Sequence, residues 1–320
     1  MRKYLLWAAV ALAACNSGSK QPTAADSADI KKPFAAVPVF SADSAYASIE
    51  KQVSFGPRIP GAKAQQACAE WLIARLRTLA DTVYVQRVNV NSEGKNLPCI
   101  NIIAAFNPSV KRRVLLLTHW DTRPVADKDA ANAKQSFDGA DDGGSGTAVL
   151  LEVARHLKTQ KPGYGIDLLF TDAEDYGNDY CLGTQYWART PHVPGYTAAY
   201  GILLDMVGAR NARFYMEGTS QQFAGAQMKM FWDVAHKTGS SEYFRYETPS
   251  NGPFFIEDDH TYVNDLLKIP TFDIIATRPT GELMAHHHTT ADNISVIDRQ
   301  TLAAVGQPLL ALLYGEPFKY

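Results

Sequence analysis

The 320-residue sequence is short of cysteine and of net charge, and each shortage removes a class of protein. Its four cysteines, at positions 15, 68, 99 and 181, are too few and too scattered for a disulfide framework or a cysteine-built zinc knot. A net charge of −2, from 31 basic and 33 acidic residues, gives no electrostatic case for nucleic acid or an anionic membrane surface. Internal repeats are absent. The N-terminal apolar run, Tyr4 to Ala14, is too short to span a bilayer. What remains is ordinary globular composition, 46% hydrophobic and 20% charged, in a chain long enough to bury a large core.

Arg2 and Lys3 precede that apolar run, and Leu12-Ala13-Ala14-Cys15 resembles the box at which bacterial lipoproteins are cut before a lipid-modified cysteine. The expectation is a signal segment over 1–14, lipidation at Cys15, a polar tether over 15–39 and one catalytic domain over 40–320. This implies a periplasmic protein held by its lipid alone. Asn16 stands where an inner-membrane retention aspartate often does, so the outer membrane is expected. Cys68, Cys99 and Cys181 would then lie in an oxidising compartment, and three cysteines cannot all pair within the chain.

Val83 to Val90 alternates as a half-buried strand does. Cys99–Phe106, Arg113–Thr118, Ile166–Thr171, the run at Ile202 and Ile269–Ile275 read as further strands. Helices are predicted after Ser41 or Ser44, over a segment placing Ala67, Trp71, Leu72 and Leu76 inward, over 145–159, over 182–189, over 220–237 with Phe223, Met230, Phe231 and Val234 inward, and over 299–314 with a kink at Pro308. Strand–helix–strand order around 113–171 implies parallel pairing with a right-handed crossover. The fold class is therefore α/β, a three-layer αβα domain whose central twisted mixed sheet carries helices on both faces.

Chemistry gathers where those strands end. Asp138-Gly139-Ala140-Asp141-Asp142-Gly143-Gly144-Ser145-Gly146 packs carboxylates among glycines. Thr118-His119-Trp120-Asp121, Asp172-Ala173-Glu174-Asp175 and Asp205 each follow an apolar strand. In open α/β sheets the ligand crevice lies outside the carboxyl ends of the strands, so these segments converge on one crevice and read as a metal site. Spacing does not choose between Asp141 and Asp142 as ligand. Glu174 and Asp175 suit a ligand beside a proton shuttle. His119 and Asp121, two apart on a strand end, point the same way, as ligand and partner or as a scaffold. His286-His287-His288 is the richest downstream source of an imidazole.

The order His119-x-Asp121, Gly139-Ala140-x-Asp142, Glu174-Asp175, Asp205 and His288-Thr289 resembles the zinc aminopeptidase superfamily. With Trp120-Asp121-Thr122-Arg123-Pro124 and Ile256-Glu257-Asp258-Asp259-His260 it resembles, more narrowly, the bacterial glutaminyl-peptide cyclotransferases. That resemblance implies one Zn2+ per chain on Asp142, Asp175 and His288, with Glu174 as proton shuttle and Asp205 and Asp258 around the reacting centre. It implies peptide or protein substrates with an N-terminal glutamine, and the chain is expected to act as a monomer. Animal cyclases carry glutamate where Asp175 stands and tryptophan where His287 stands. Another group must then wall the substrate pocket: Trp120, Tyr176, Tyr180, Trp187 or His287. A two-zinc aminopeptidase, with His119 and Asp205 as ligands of the second metal, uses the same residues and is the rival reading.

Overall fold

The computed structural model describes residues 37–320; the expected signal segment, Cys15 and most of the tether lie outside them. Eight strands form one sheet in the order β1-β2-β4-β3-β5-β8-β6-β7. Strands β1 (Thr82–Ser92) and β2 (Lys95–Phe106) are an antiparallel hairpin turning at Glu93 and Gly94, both at positive φ as a tight hairpin turn requires. Strand β2 also pairs antiparallel with β4 (Gly165–Thr171). The centre is parallel: β3 (Arg113–His119) lies between β4 and β5 (Tyr200–Asp205), and β5 pairs with β8 (Thr271–Thr277). Short strands β6 (Arg213–Tyr215) and β7 (Phe244–Arg245) close the far edge.

The central strands are apolar at successive positions because both sheet faces are covered. Val114, Leu116, Leu168, Phe170, Ile202 and Leu204 enter the main core, with residues of α1 (Ala42–Val53), α2 (Lys63–Leu79), α3 (Gly144–Thr159), α5 (Gly218–Lys237) and α7 (Arg299–Tyr314). Their neighbours Leu115, Leu117, Leu169 and Leu203 enter a second core under α4 (Leu182–Arg189) and the π-helical turn Val263–Leu267. Each such leucine contributes about 1.5–3 kcal/mol by leaving water. The three-layer arrangement and the parallel β3-α3-β4 unit are as expected.

Two local expectations fail. Phe223 is 37% exposed because Ala224 is non-helical (φ −140°) and breaks the phase of α5, while Met230, Phe231 and Val234 pack on the main core. Ala67 faces solvent while Cys68, Ala69 and Ile73 take the inner face of α2. Helix α7 continues on both sides of Pro308, which has no N–H to donate. The four-residue helix α6 (Asp259–Tyr262), capped by Asp258, had no clear sequence signal.

Candidate metal centre and active site

Strands β3, β4 and β5 are adjacent and parallel, so their carboxyl ends deliver His119, the Asp172–Asp175 segment and Asp205 side by side. The 138–146 loop brings the fourth contribution. Gly139 (φ +60°) would place a Cβ 2.8 Å from Thr122, and Gly143 (φ +77°) would place one 2.5 Å from the Asp121 carbonyl. Glycine at those positions lets the loop fold tightly over β3 and present Asp142. Ala173, Cys181, Met206 and His288 also hold positive φ. Non-glycine residues are strained there, and such strain gathers at functional sites.

The ambiguous pairs separate by their partners. Asp141 is fully used: Oδ2 lies 2.8 Å from His286 Nε2 and Oδ1 accepts from the Gly208 amide at 2.8 Å. Asp142 instead keeps a buried Oδ2 with no hydrogen-bond partner. Asp292 clamps the loop from below, accepting from both amides, Asp141 N at 2.8 Å and Asp142 N at 3.2 Å.

The histidine run divides the same way. His286 is held by Asp141. Nδ1 of His287 lies 2.9 Å from Lys128 Nζ, while its Nε2 lies 4.0 Å from Asp142 Oδ2. His288 Nε2 lies 3.1 Å from Asp175 Oδ2 and 3.7 Å from Asp142 Oδ2. Asp175 Oδ2, like Asp142 Oδ2, is buried and makes no hydrogen bond. Ligand atoms on a tetrahedral zinc with bonds of about 2.0–2.1 Å stand about 3.3 Å apart, which these separations bracket. Two unpartnered carboxylate oxygens beside one imidazole nitrogen are a donor set whose chemistry suits zinc, with His288 Nε2 near both Asp175 and Asp142. Ligand atoms of Asp142, His287 and His288 lie within 4.8 Å of one another, and so do those of His119, Asp142 and Asp205, the set a second metal would use. In the first of these groups Lys128 occupies His287 Nδ1. A lysine only donates, so neutral His287 carries its proton on Nε2 and offers no lone pair there.

Arg123 fixes this centre from behind. Nη1 donates to Asp175 Oδ1 at 2.9 Å and Nη2 to Asp127 Oδ2 at 2.6 Å; Asp127 Oδ1 in turn lies 3.4 Å from His288 Nδ1. Arg123 falls in the Trp120–Pro124 stretch that carries the family resemblance, without a role attached to it there; Asp127 carries no sequence signal. Both are outer supports of the kind that orient metal ligands.

His119 heads a second cluster that shares Asp142. Its Nε2 is 3.2 Å from Asp205 Oδ1 and 3.0 Å from Asp142 Oδ1. Burial works against its charged form, yet Asp121, Asp142 and Asp205 together hold its pKa well above the usual histidine range. Asp121 is a scaffold: it accepts from the Glu174 and Asp175 amides at 3.1 and 3.3 Å. Burial raises Asp205 to about 6, against the pull of His119.

Glu174 stands between the clusters and the interior. Oε2 is 3.9 Å from His119 Nδ1, and Oε1 accepts from the Cys181 thiol at 3.3 Å. Burial, then Asp175 and Asp258, push its carboxyl well above the usual range, although His119 opposes them. Asp258 caps α6 through Oδ1 at 2.5 Å, keeps Oδ2 unpartnered, and is raised by burial and by Asp205. Raised carboxyls beside a metal donor set mark acid–base chemistry.

Three expected pocket residues sit elsewhere. Trp120 is fully buried in the main core, its Nε1 donating to the Ile100 carbonyl at 3.2 Å, because it alternates away from His119 and Asp121. Trp187 is fully buried in the second core against Tyr196. Tyr176 packs on the Val90–Leu97–Cys99 cluster at the β1–β2 hairpin. Tyr180, partly exposed beside Arg123, and His287 are the ring-bearing candidates left at the site. Cys68, Cys99 and Cys181 are all buried and unpaired.

Such a sheet, with buried carboxylates and imidazoles gathered at its strand ends, defines an α/β protein with a candidate metal centre. The family follows from comparison: residues 101–313 match peptidase family M28, and the chain belongs to that family. Its structural neighbours include glutaminyl cyclases from Bacteroides thetaiotaomicron (43% identical, 88% of this chain and 99% of that one, TM-score 0.85) and Tannerella forsythia (46%, 87% and 100%, TM-score 0.83). A Zn-dependent exopeptidase from Parabacteroides distasonis is as similar (44%, 88% and 100%, TM-score 0.84). The glutaminyl-peptide cyclotransferase of Gloydius blomhoffii is 28% identical over 63% of this chain, which spans 61% of its length.

Proposed function

We propose that the chain is a single-zinc glutaminyl-peptide cyclotransferase, converting an N-terminal glutamine of a peptide or protein to pyroglutamate with release of ammonia. The observation that carries this is the asymmetry of the two clusters. Asp142 Oδ2 and Asp175 Oδ2 face His288 Nε2 at 3.7 and 3.1 Å without a hydrogen bond of good geometry, whereas Asp205 Oδ1 is hydrogen-bonded to His119. One vacancy in hydrogen bonding suits one metal. The similarity to bacterial glutaminyl cyclases supports the same reading.

Asp142, Asp175 and His288 would hold the zinc, which would supply a Lewis acid for the γ-carboxamide oxygen and a charge favouring ionisation of the Glu174 carboxyl. The chain's own residues do the rest. Glu174 Oε2 takes one proton from the substrate's α-amine as its nitrogen bonds to the γ-carbon. It returns that proton to the carboxamide nitrogen as the C–N bond breaks, and ammonia leaves. The Cys181 thiol holds Oε1, which fixes the other oxygen toward the reacting atoms. Asp258 and Asp205 receive the leaving nitrogen. Attack is intramolecular, so positioning does much of the work and no activated water is needed.

Mass spectrometry of a glutamine-initiated peptide incubated with the zinc-loaded protein tests this. Loss of one ammonia, abolished in Glu174→Gln, is expected. Release of free glutamine would instead make the chain a two-zinc aminopeptidase.

A further inference from the structure

One cavity adjoins the donor cluster through a single ring. It has a volume of ≈ 330 Å³, at the small end of ligand pockets, and is lined by Lys128, Arg278, Glu282, Met284 and His287 among others. His287 is the dividing wall: its Nε2 faces Asp142 at 4.0 Å, and its Nδ1 meets Lys128 Nζ at 2.9 Å on the other side. Its ring lies against that of His288, centroids 3.7 Å apart, which holds the wall in place. The charges in the cavity are unequal. Arg278 is paired with Glu282. Lys128 is exposed, and its hydrogen-bond partner is an uncharged ring nitrogen; among the described residues no carboxylate pairs with it. Lys128 is thus without an ion-pair contact among the described residues, beside the partly buried Leu283 and Met284, although burial works against its charge and Asp127, Asp175 and Asp142 act on it from farther off.

We propose that this cavity receives the residue following the N-terminal glutamine, and that Lys128 makes an acidic side chain the preferred occupant. The inference rests on the cyclotransferase reading. Asp142 and Lys128 are separated by contacts of 4.0 and 2.9 Å and the width of one imidazole, a span that the next residue covers only with its backbone advance of about 3.3–3.6 Å and a side chain as long as glutamate's together. The Nε2–H of His287 faces that path and donates to a substrate oxygen along it. A basic residue entering the cavity would face Lys128 and Arg278, whereas an acidic one replaces the water around Lys128 with a counter-charge.

The test is a panel of tripeptides, Gln-Glu-Ala, Gln-Ala-Ala and Gln-Lys-Ala, followed by release of ammonia. The acidic peptide is expected to exceed the basic one in kcat/KM by about three- to ten-fold at low salt, mainly through KM, with the bias fading as salt rises. Lys128→Gln keeps a donor for His287 Nδ1 while removing the charge, and should collapse the ratio toward one. Lys128→Glu should invert it. Equal rates across the panel, or a bias that survives in Lys128→Gln, would overturn this inference while leaving the cyclotransferase reading intact. If none of the three peptides is cyclised, the reading itself fails and the inference with it.

Discussion

Two clusters share Asp142 and are built from the same residue types, yet they are finished differently. Around His288 the outer carboxylate oxygens of Asp142 and Asp175 meet no group but the imidazoles of the run itself, His288 Nε2 coming within 3.1 Å of Asp175, and Arg123 and Asp127 touch the ligands through their other atoms. Around His119, the ring nitrogen lies between Asp142 and Asp205, and Asp121 is spent on backbone amides. Residue identity alone therefore does not distinguish a cation site from a hydrogen-bonded scaffold. The distinction lies in whether the lone pairs are already taken.

The largest effect should come from the group that serves neither cluster as ligand. Glu174→Gln removes the shuttle and should slow turnover by roughly 10²–10⁴. Zinc content should stay unchanged, which metal analysis of the same sample checks.

The comparison is broken most directly by its two imidazoles. His288→Ala should cost more metal affinity than the roughly 10–100-fold typical of an outer partner. His119→Gln should leave zinc bound and reduce only activity. Competition with a coloured chelator measures both, and equal losses would erase the distinction. Arg123→Met sharpens it: zinc affinity should fall about 10–100-fold because Asp175 Oδ1 loses its donor, with the ligands intact.

For Asp205 the readout is stability instead of metal or turnover, and burial sets the direction of its effect. Its folded pKa of about 6 lies above the ordinary 3.8, so the fold prefers the protonated acid. The stability this gives is complete below pH 3.8 and is lost as pH rises through about 6. In metal-free protein the loss should be of the order of 2–3 kcal/mol, and Asp205→Asn should flatten that part of the pH–stability curve in urea melts.

Much of this was legible in the chain. Apolar strands that end in acids announce a sheet with its crevice at the carboxyl ends, and the glycines around Asp142 announce a loop folded onto a strand. The choice between Asp141 and Asp142 was not legible, because it is made by Gly208 and His286, far away in sequence. The same holds for the histidine run, sorted by Asp141, Lys128 and Asp175. The roles of Arg123 and Asp292 were not legible, since they exist only in three dimensions. Trp120 is a different case: the period of two that aims His119 and Asp121 at the site also aims Trp120 away, and that was readable.

The most direct test counts the metal. Protein purified with zinc and freed of loosely held ions should carry one zinc per chain, and anomalous scattering from its crystals should place that ion between Asp142, Asp175 and His288. A second ion of equal occupancy between His119, Asp142 and Asp205 would contradict the account.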